Sequence, residues 1–361
     1  MIYLDYQATT PLAPEARAAM LPWLSAEGSA NPHSPHAPGR AAAAAVEVAH
    51  EQIAALLPKN GRVFFTSGAT EAANWALRGA GEGGIVLPTT EHACARDTAL
   101  WLGERGHDVT FLPVRSDGLV AEIAIPKGTA LAAAMLVNNE IGVIQPVAAL
   151  ADPAHAAGAL VFCDAVQGYG RVAIPDVCDL IAVSAHKIHG PKGVGALWVR
   201  DGVTLEPLLL GGGQEGGVRS GTLSPALCAG FGAAAALMAE RAETDAAHVE
   251  RLWSLALDRL KGWTLNGAAD PRYRGNLNIR REGIDAARLI SEVRGVAFSA
   301  GSACASGSGR PSHVLKAIGL ADDEVRSSIR LGFGRYTTGA ELDEALSLIA
   351  VAADAQARIA A

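Results

Sequence analysis

Lys187 stands in Ser184-Ala-His-Lys-Ile-His-Gly-Pro-Lys, between two histidines and directly after the apolar run Asp179-Leu-Ile-Ala-Val. An amine at the mouth of a buried strand, fenced by His186, His189, Gly190 and Pro191, loses water and gains cationic neighbours, and both effects lower its pKa toward neutrality. Such a lysine can form a Schiff base with a carbonyl, though a solvated strand-end lysine would use the same residues. Phe65-Thr-Ser-Gly-Ala-Thr-Glu-Ala-Ala73 reads as a strand, a turn of small residues and a helix start. That order leaves backbone N–H groups and hydroxyls converging on one spot, which suits an anion, although an ordinary capped helix begins the same way. The stretch lacks Gly-Lys-Ser/Thr and is no nucleotide P-loop.

Asp164, in Cys163-Asp-Ala-Val-Gln167, follows another apolar run and offers a carboxylate to a protonated ring nitrogen, or else caps the next helix. Glu91-His92 opens a helix, where an imidazole can lie flat on a cofactor ring, shuttle protons or simply cap. Asn138 and Asn139 end a strand with two amides able to hold a carboxylate, or merely to make a turn. A lysine, an aspartate, an anion cup and a stacking imidazole on successive strand ends are together what a protein contributes to pyridoxal phosphate chemistry.

These residues need strands to place them. Val63-Phe-Phe-Thr, Ile85-Val-Leu, Val109-Thr-Phe-Leu, Leu131 to Val137, Leu160-Val-Phe-Cys and Leu180-Ile-Ala-Val read as short buried strands, mostly separated by helical patterns from Glu71, His92 and Val147. Alternation of that kind signals an open, largely parallel α/β sheet, whose ligands gather beyond the carboxyl ends of the strands. Helices are expected over Pro14 to Leu24 and Arg40 to Leu57, with a proline-rich loop from Asn31 to Gly39 between them. A helix from about Ala226 to Arg241 and a second, amphipathic one carrying Val249, Leu252, Ala256 and Leu260 then lead out of the sheet. A further unit follows: strand (Asn276 to Ile279), helix (Asp285 to Val293), strand (Val296 to Ser299), helix (Ser312 to Ile318, stopped by Gly319), strand (Ile329 to Phe333) and a final helix opened by a Thr338/Glu341 capping box.

Composition bounds the partners. Of 361 residues half are hydrophobic, enough for a large core, and the formal charge of −7 offers no basic face to nucleic acid or anionic lipid. The longest apolar stretch, Ala226 to Ala239, is too short for a membrane span, and Met1-Ile-Tyr-Leu-Asp-Tyr has no signal-peptide character. Five widely spread cysteines without a C-x-x-C pattern argue against a disulfide framework or a metal site and for a reducing compartment, expected to be the cytoplasm.

Over nearly its whole length the chain resembles the cysteine desulfurases, in the class V aminotransferase branch of fold-type I pyridoxal phosphate enzymes. The resemblance rests on Tyr3-Leu-Asp-Tyr-Gln-Ala-Thr-Thr-Pro, Thr66-Ser-Gly-Ala-Thr-Glu, Thr90-Glu-His92, Asn138-Asn-Glu-Ile-Gly, Asp164-Ala-Val-Gln167, Ser184-Ala-His-Lys187, Arg219-Ser-Gly-Thr222, Gly301-Ser-Ala-Cys304 and Ser328-Ile-Arg330, in the family's order. It implies a large cofactor-binding domain over 12–242, with a mostly parallel seven-stranded sheet, and a smaller α/β domain formed by 1–11 and 243–361. By this similarity Lys187 carries pyridoxal phosphate, Asp164 pairs with its pyridine nitrogen, Gln167 touches its ring hydroxyl and His92 stacks on the ring and carries protons. Ala69, Thr70, Ser184 and His186 would meet the phosphate end, with Thr222 reaching in from the other subunit of a homodimer. Asn139 and Arg330 would hold the carboxylate of L-cysteine.

Cys304, in the glycine- and serine-rich stretch Ser299 to Gly309, is expected to be exposed on a mobile loop and to take the substrate sulfur as a persulfide for an acceptor protein. The other four cysteines lie in or beside apolar elements. The family also contains selenocysteine lyases, aminotransferases and epimerases, which do not need this thiol. Gln7, His189 and Gln214 stand where a serine, a tyrosine and a histidine are usual.

Overall fold

The computed structural model describes residues 1–301 and 311–360; Cys304 lies outside the described residues. Seven strands make the central sheet: β2 (Gly61–Thr66), β3 (Gly84–Pro88), β4 (Val109–Leu112), β5 (Thr129–Met135), β6 (Leu160–Asp164), β7 (Leu180–Ser184) and β8 (Gly195–Arg200). Their order is β2-β8-β7-β6-β5-β3-β4, and β8 alone runs against the others. The apolar runs anticipated six of these strands. β8 escaped because it follows β7 without the intervening helix that marks a parallel crossover.

Both faces of the sheet are covered, which is why its strands read as continuous apolar runs. Alternate residues serve opposite cores: Val86, Ala132, Ala134, Val161, Cys163, Ile181 and Val183 enter one cluster, while Ile85, Leu87, Leu131, Ala133, Phe162, Leu180 and Ala182 enter the other. Helices α1 (Pro14–Met20), α2 (Ala37–Ala54), α3 (Ala69–Gly79), α4 (Ala93–Gly103) and α5 (Val147–Ala156) accompany the sheet.

The two helices expected between Ala226 and Leu260 are one, α6 (Pro225–Arg259), of 35 residues. The polar run 240–248, which reads as a boundary, holds neither proline nor glycine and is the helix's wet middle. It is gripped from the side, where the Arg335 guanidinium donates to Asp245 and His248 Nε2–H donates to Thr337 O at 2.8 Å. Cys228, Phe231, Ala234, Leu237 and Met238 of this helix join the first sheet cluster, and Leu252, Trp253 and Ala256 join a third. That third cluster packs around a three-stranded antiparallel sheet of β9 (Thr264–Leu265), β10 (Asn276–Arg280) and β12 (Ser328–Gly332). A parallel pair, β1 (Ile2–Tyr3) with β11 (Val296–Ala297), returns the N-terminus to it. Helices Ala286–Glu292, His313–Ala317, Asp322–Arg326 and Gly339–Ala360 complete the unit, the last opened by Thr338 and Glu341 as its sequence indicates. Among the described residues no helix is long and apolar enough to cross a membrane.

Candidate active site

Every carboxyl end of the parallel strands β2, β3, β5, β6 and β7 delivers residues to one cavity of about 590 Å³. Ten of the twelve residues singled out in the sequence line it: Ala69, Thr70, His92, Asn139, Asp164, Gln167, Ser184, His186, Lys187 and Arg330. Thr222 is exposed and does not line this cavity. Cys304 lies outside the described residues.

Lys187 ends a single 3-10 turn, Ala185–Lys187, in the connection from β7 to the antiparallel β8. Its Nζ donates to Ala8 O at 2.9 Å and to Gln7 O. Burial first, then the Arg330 and Arg171 guanidiniums, lower its pKa to about 8, against the opposing pull of Asp5 and Asp164. The Arg171 guanidinium donates to Lys187 O and, at 3.3 Å, to Gln167 O. Neither the carbonyls of Gln7 and Ala8 nor Arg171 was legible in the sequence, because a backbone acceptor leaves no mark on residue type.

Asp164 closes β6, where its Oδ1 accepts from Val166 N at 3.0 Å. Burial pushes this carboxyl above the usual range, offset by His92, the Val166 amide and Lys187. His92 caps α4, its Nδ1 accepting from Cys94 N at 3.1 Å with Cys94 Sγ 3.0 Å away. Since Nδ1 is the acceptor, the proton sits on Nε2; burial lowers the ring's pKa and keeps it neutral. Gln167 Nε2 donates to Gln7 O at 3.0 Å. Behind the cavity Glu91 is fully buried, accepts from Met135 N at 2.8 Å, and has its pKa raised by burial to about 8.

Arg330, on β12, reaches the cavity from the other unit. Its Nη2 donates to Asp5 Oδ1 at 2.8 Å and its Nη1 to Asn139 O at 3.0 Å, while its buried Nε has no partner among the described residues. Asn139 Oδ1 is likewise buried without a partner, and no described acceptor takes its Nδ2. Of these groups the Arg330 Nε–H and the Asn139 amide Nδ2–H are donors and so suit a carboxylate, whereas the orphaned Asn139 Oδ1 needs a donor of its own.

In the same lining α3 starts at Ala69 after its cap Gly68, with no side chain capping it, so its first amides keep their donors free. Gly195 has to be glycine for the turn to lie so near β8: a Cβ there would sit 2.7 Å from Gly68 C and 2.8 Å from Val183 O. Ser67, Thr70, Ser184, His186 and Lys192 line the same cavity. His186 is held neutral, its pKa lowered to about 4 by burial and by Lys187 and Lys192, with Nδ1 3.2 Å from Thr9 Oγ1. The Arg219 guanidinium grips Glu71 of α3 at 2.7 and 3.0 Å, and Glu71 accepts from Ser67 N at 2.7 Å, which fixes the turn. Helix-start amides, hydroxyls and a lysine form a donor set for phosphate, in one cavity with a buried carboxylate suited to a pyridinium. The residues present therefore fit pyridoxal phosphate.

The family model described as Aminotransferase class-V matches residues 2–345. The chain belongs to that family. Within the class-V aminotransferases it is similar to the cysteine desulfurase IscS of Rickettsia akari, 42% identical over 96% of this chain and 90% of that protein. It is also similar to the mitochondrial cysteine desulfurase of Eremothecium gossypii, 44% identical over 96% of this chain and 75% of that protein. Among solved structures a NifS-like protein superposes with a TM-score of 0.89 at 30% identity, covering 96% of this chain and 98% of that one. A structure described as SspA in complex with cysteine superposes with a TM-score of 0.83 at 33% identity, covering 94% of this chain and all of the other. The class-V fold is thus the fold-type I architecture expected, and its enzymes depend on pyridoxal phosphate.

Proposed function

We propose that the chain is a cysteine desulfurase, which takes sulfur from L-cysteine, releases L-alanine and passes the sulfur through a persulfide on Cys304 to an acceptor protein. The gathering of Lys187, Asp164, His92 and Arg330 around one cavity carries the reading, and relatives 40–44% identical bear the desulfurase name. Bound pyridoxal phosphate supplies the electron sink that makes the substrate Cα–H acidic and the Cβ–S bond breakable.

Arg330 and Asn139 hold the substrate carboxylate, which sets Cα toward Lys187. With its pKa at about 8, the Lys187 amine is unprotonated in about one molecule in ten at pH 7, so Nζ can take a proton and return it. Asp164 balances a positive charge on the cofactor's ring nitrogen from within a buried site, where the interaction is strongest. His92, protonated on Nε2, faces its work as a donor. Ala69, Thr70, Ser184 and His186 meet the phosphate end, and Gln167 the ring hydroxyl. Cys304 thiolate attacks the substrate sulfur: an S–S bond forms, the Cβ–S bond breaks with its electron pair left on the carbon fragment, and protonation of that fragment yields alanine.

The same reading makes the protein a homodimer with Thr222 serving the partner's cavity, and divides each chain into domains 12–242 and 1–11 with 243–361. The acceptor is a protein that receives sulfur in the cytoplasm. The test is to supply L-cysteine to the purified holoenzyme with dithiothreitol present, which reduces the persulfide and releases its outer sulfur as sulfide, and to quantify alanine and sulfide. Equal yields from wild type, with loss of both by orders of magnitude in Cys304→Ala and retained cofactor, are expected. Undiminished alanine release by Cys304→Ala would move the chain among the lyases, aminotransferases or epimerases that need no thiol.

A further inference from the structure

A second cavity, of about 360 Å³, lies on the seam between the two units, lined from the sheet side by Arg171 and His189, from α6 by Asp245 and Ala246, and from the smaller unit by Arg272 and Arg335. Arg274 and Glu250 also line it and neutralise each other in an ion pair. Four guanidiniums thus face two carboxylates. Asp245 takes two nitrogens of Arg335, whose side chain is only 2% exposed, yet Nη1 of Arg335 is buried with no partner among the described residues. Arg272 is 5% exposed and, among the described residues, donates only to carbonyls, those of Ala268, Asn266 and Asn276. Burial without a counter-charge lowers its pKa to about 9, an unusual state for a guanidinium. Among the described residues Arg171 also meets only carbonyls and the face of Tyr273, 5.2 Å from the ring centroid.

Buried cations without anions are costly unless something supplies the missing charge. We propose that this cavity binds a small oxyanion, with carboxylate or phosphate oxygens received by Arg272, Arg171 and the free Nη1 of Arg335. The site is separate from the cavity around Lys187. It communicates with it directly, because Arg171 lines the second cavity and donates to Lys187 O. An anion here ties the sheet, α6 and the smaller unit together and so stabilises the closed seam.

The experiment uses the holoenzyme, so that the cofactor occupies its own phosphate seat, and follows the thermal midpoint as inorganic phosphate or succinate is raised against sodium chloride of equal ionic strength. A saturable rise of a few degrees with either oxyanion and none with chloride is expected, and the probe that works names the source chemistry. Ala246→Glu places a carboxylate in the cavity from the exposed side of α6; it should raise the midpoint without added anion and abolish the response. Arg335→Lys, which keeps a cation for Asp245 but removes the fork, should weaken binding about tenfold. The absence of any saturable response in wild type, or its survival intact in Ala246→Glu, overturns the proposal.

Discussion

The burial that lowers the pKa of Lys187 also makes its charged form costly, and that cost in stability can be measured. Its folded pKa of about 8 lies below the 10.5 of an ordinary lysine, so between those values the unfolded chain binds the extra proton. Stability of the cofactor-free protein should therefore rise with pH across that window, and the full penalty applies below pH 8. Lys187→Met removes it. The variant is expected to be more stable than wild type at pH 7, by up to about 3 kcal/mol in urea unfolding, with the difference closing toward pH 10.5; equal stability at pH 7 would refute the shift. Glu91 behaves in the opposite sense, since its pKa is raised from 4.5 to about 8 and stability is lost as pH climbs between these values. Glu91→Gln keeps the acceptor for Met135 N and should flatten that decline. Residue types and positions singled out Lys187, Asp164 and His92 as candidates, because each carries its chemistry in its side chain, whereas Arg330 came only from the family resemblance. The supports of these residues stayed hidden: Asp5 beneath Arg330, Cys94 beside His92, and the Gln7 and Ala8 carbonyls under Lys187 follow from chain crossings that no local pattern records.

At the scale of elements, the strands were legible wherever both faces are buried, because every residue is then apolar and the run stands out. The antiparallel β8 and the single helix α6 were not, since one lacks its crossover helix and the other keeps a polar middle between two packed ends. That continuity is open to test. Glu243 is exposed in the wet stretch, and Glu243→Pro should cost about 3 kcal/mol or more by breaking α6 between its two cores, whereas Glu243→Ala should be nearly neutral. A proline variant as stable as the alanine one would mean that the halves fold as separate helices. The Glu71–Arg219 pair, with side chains 11% and 12% exposed, makes a similar point for the start of α3. Arg219→Leu strands the Glu71 carboxylate and should cost about 3 kcal/mol, while Glu71→Leu combined with Arg219→Leu recovers much of it, as unfolding midpoints would show.

The whole molecule is reached through Thr222. It follows the pair-forming Arg219, yet it is exposed, and the cavity to which its motif assigns it is lined without it. An exposed residue that its own chain's cavity leaves out is what a two-fold assembly would use if each chain completed the other's site. The proposal that Thr222 works in trans has a consequence that no arrangement within one chain shares. Thr222→Ala alone should weaken cofactor retention, and Lys187→Ala alone should abolish the lysine-linked cofactor and its visible absorbance. When the two variant chains are unfolded, mixed in equal amounts and refolded together, half of the dimers are mixed. In each mixed dimer the site with intact Lys187 receives an intact Thr222 from the partner, so roughly a quarter of all sites regain wild-type retention at limiting cofactor. If Thr222 served its own chain, the intact lysine would always sit beside the missing hydroxyl, and mixing would restore nothing beyond the average of the parents. Absorbance after gel filtration at limiting cofactor separates these outcomes without depending on turnover or on Cys304.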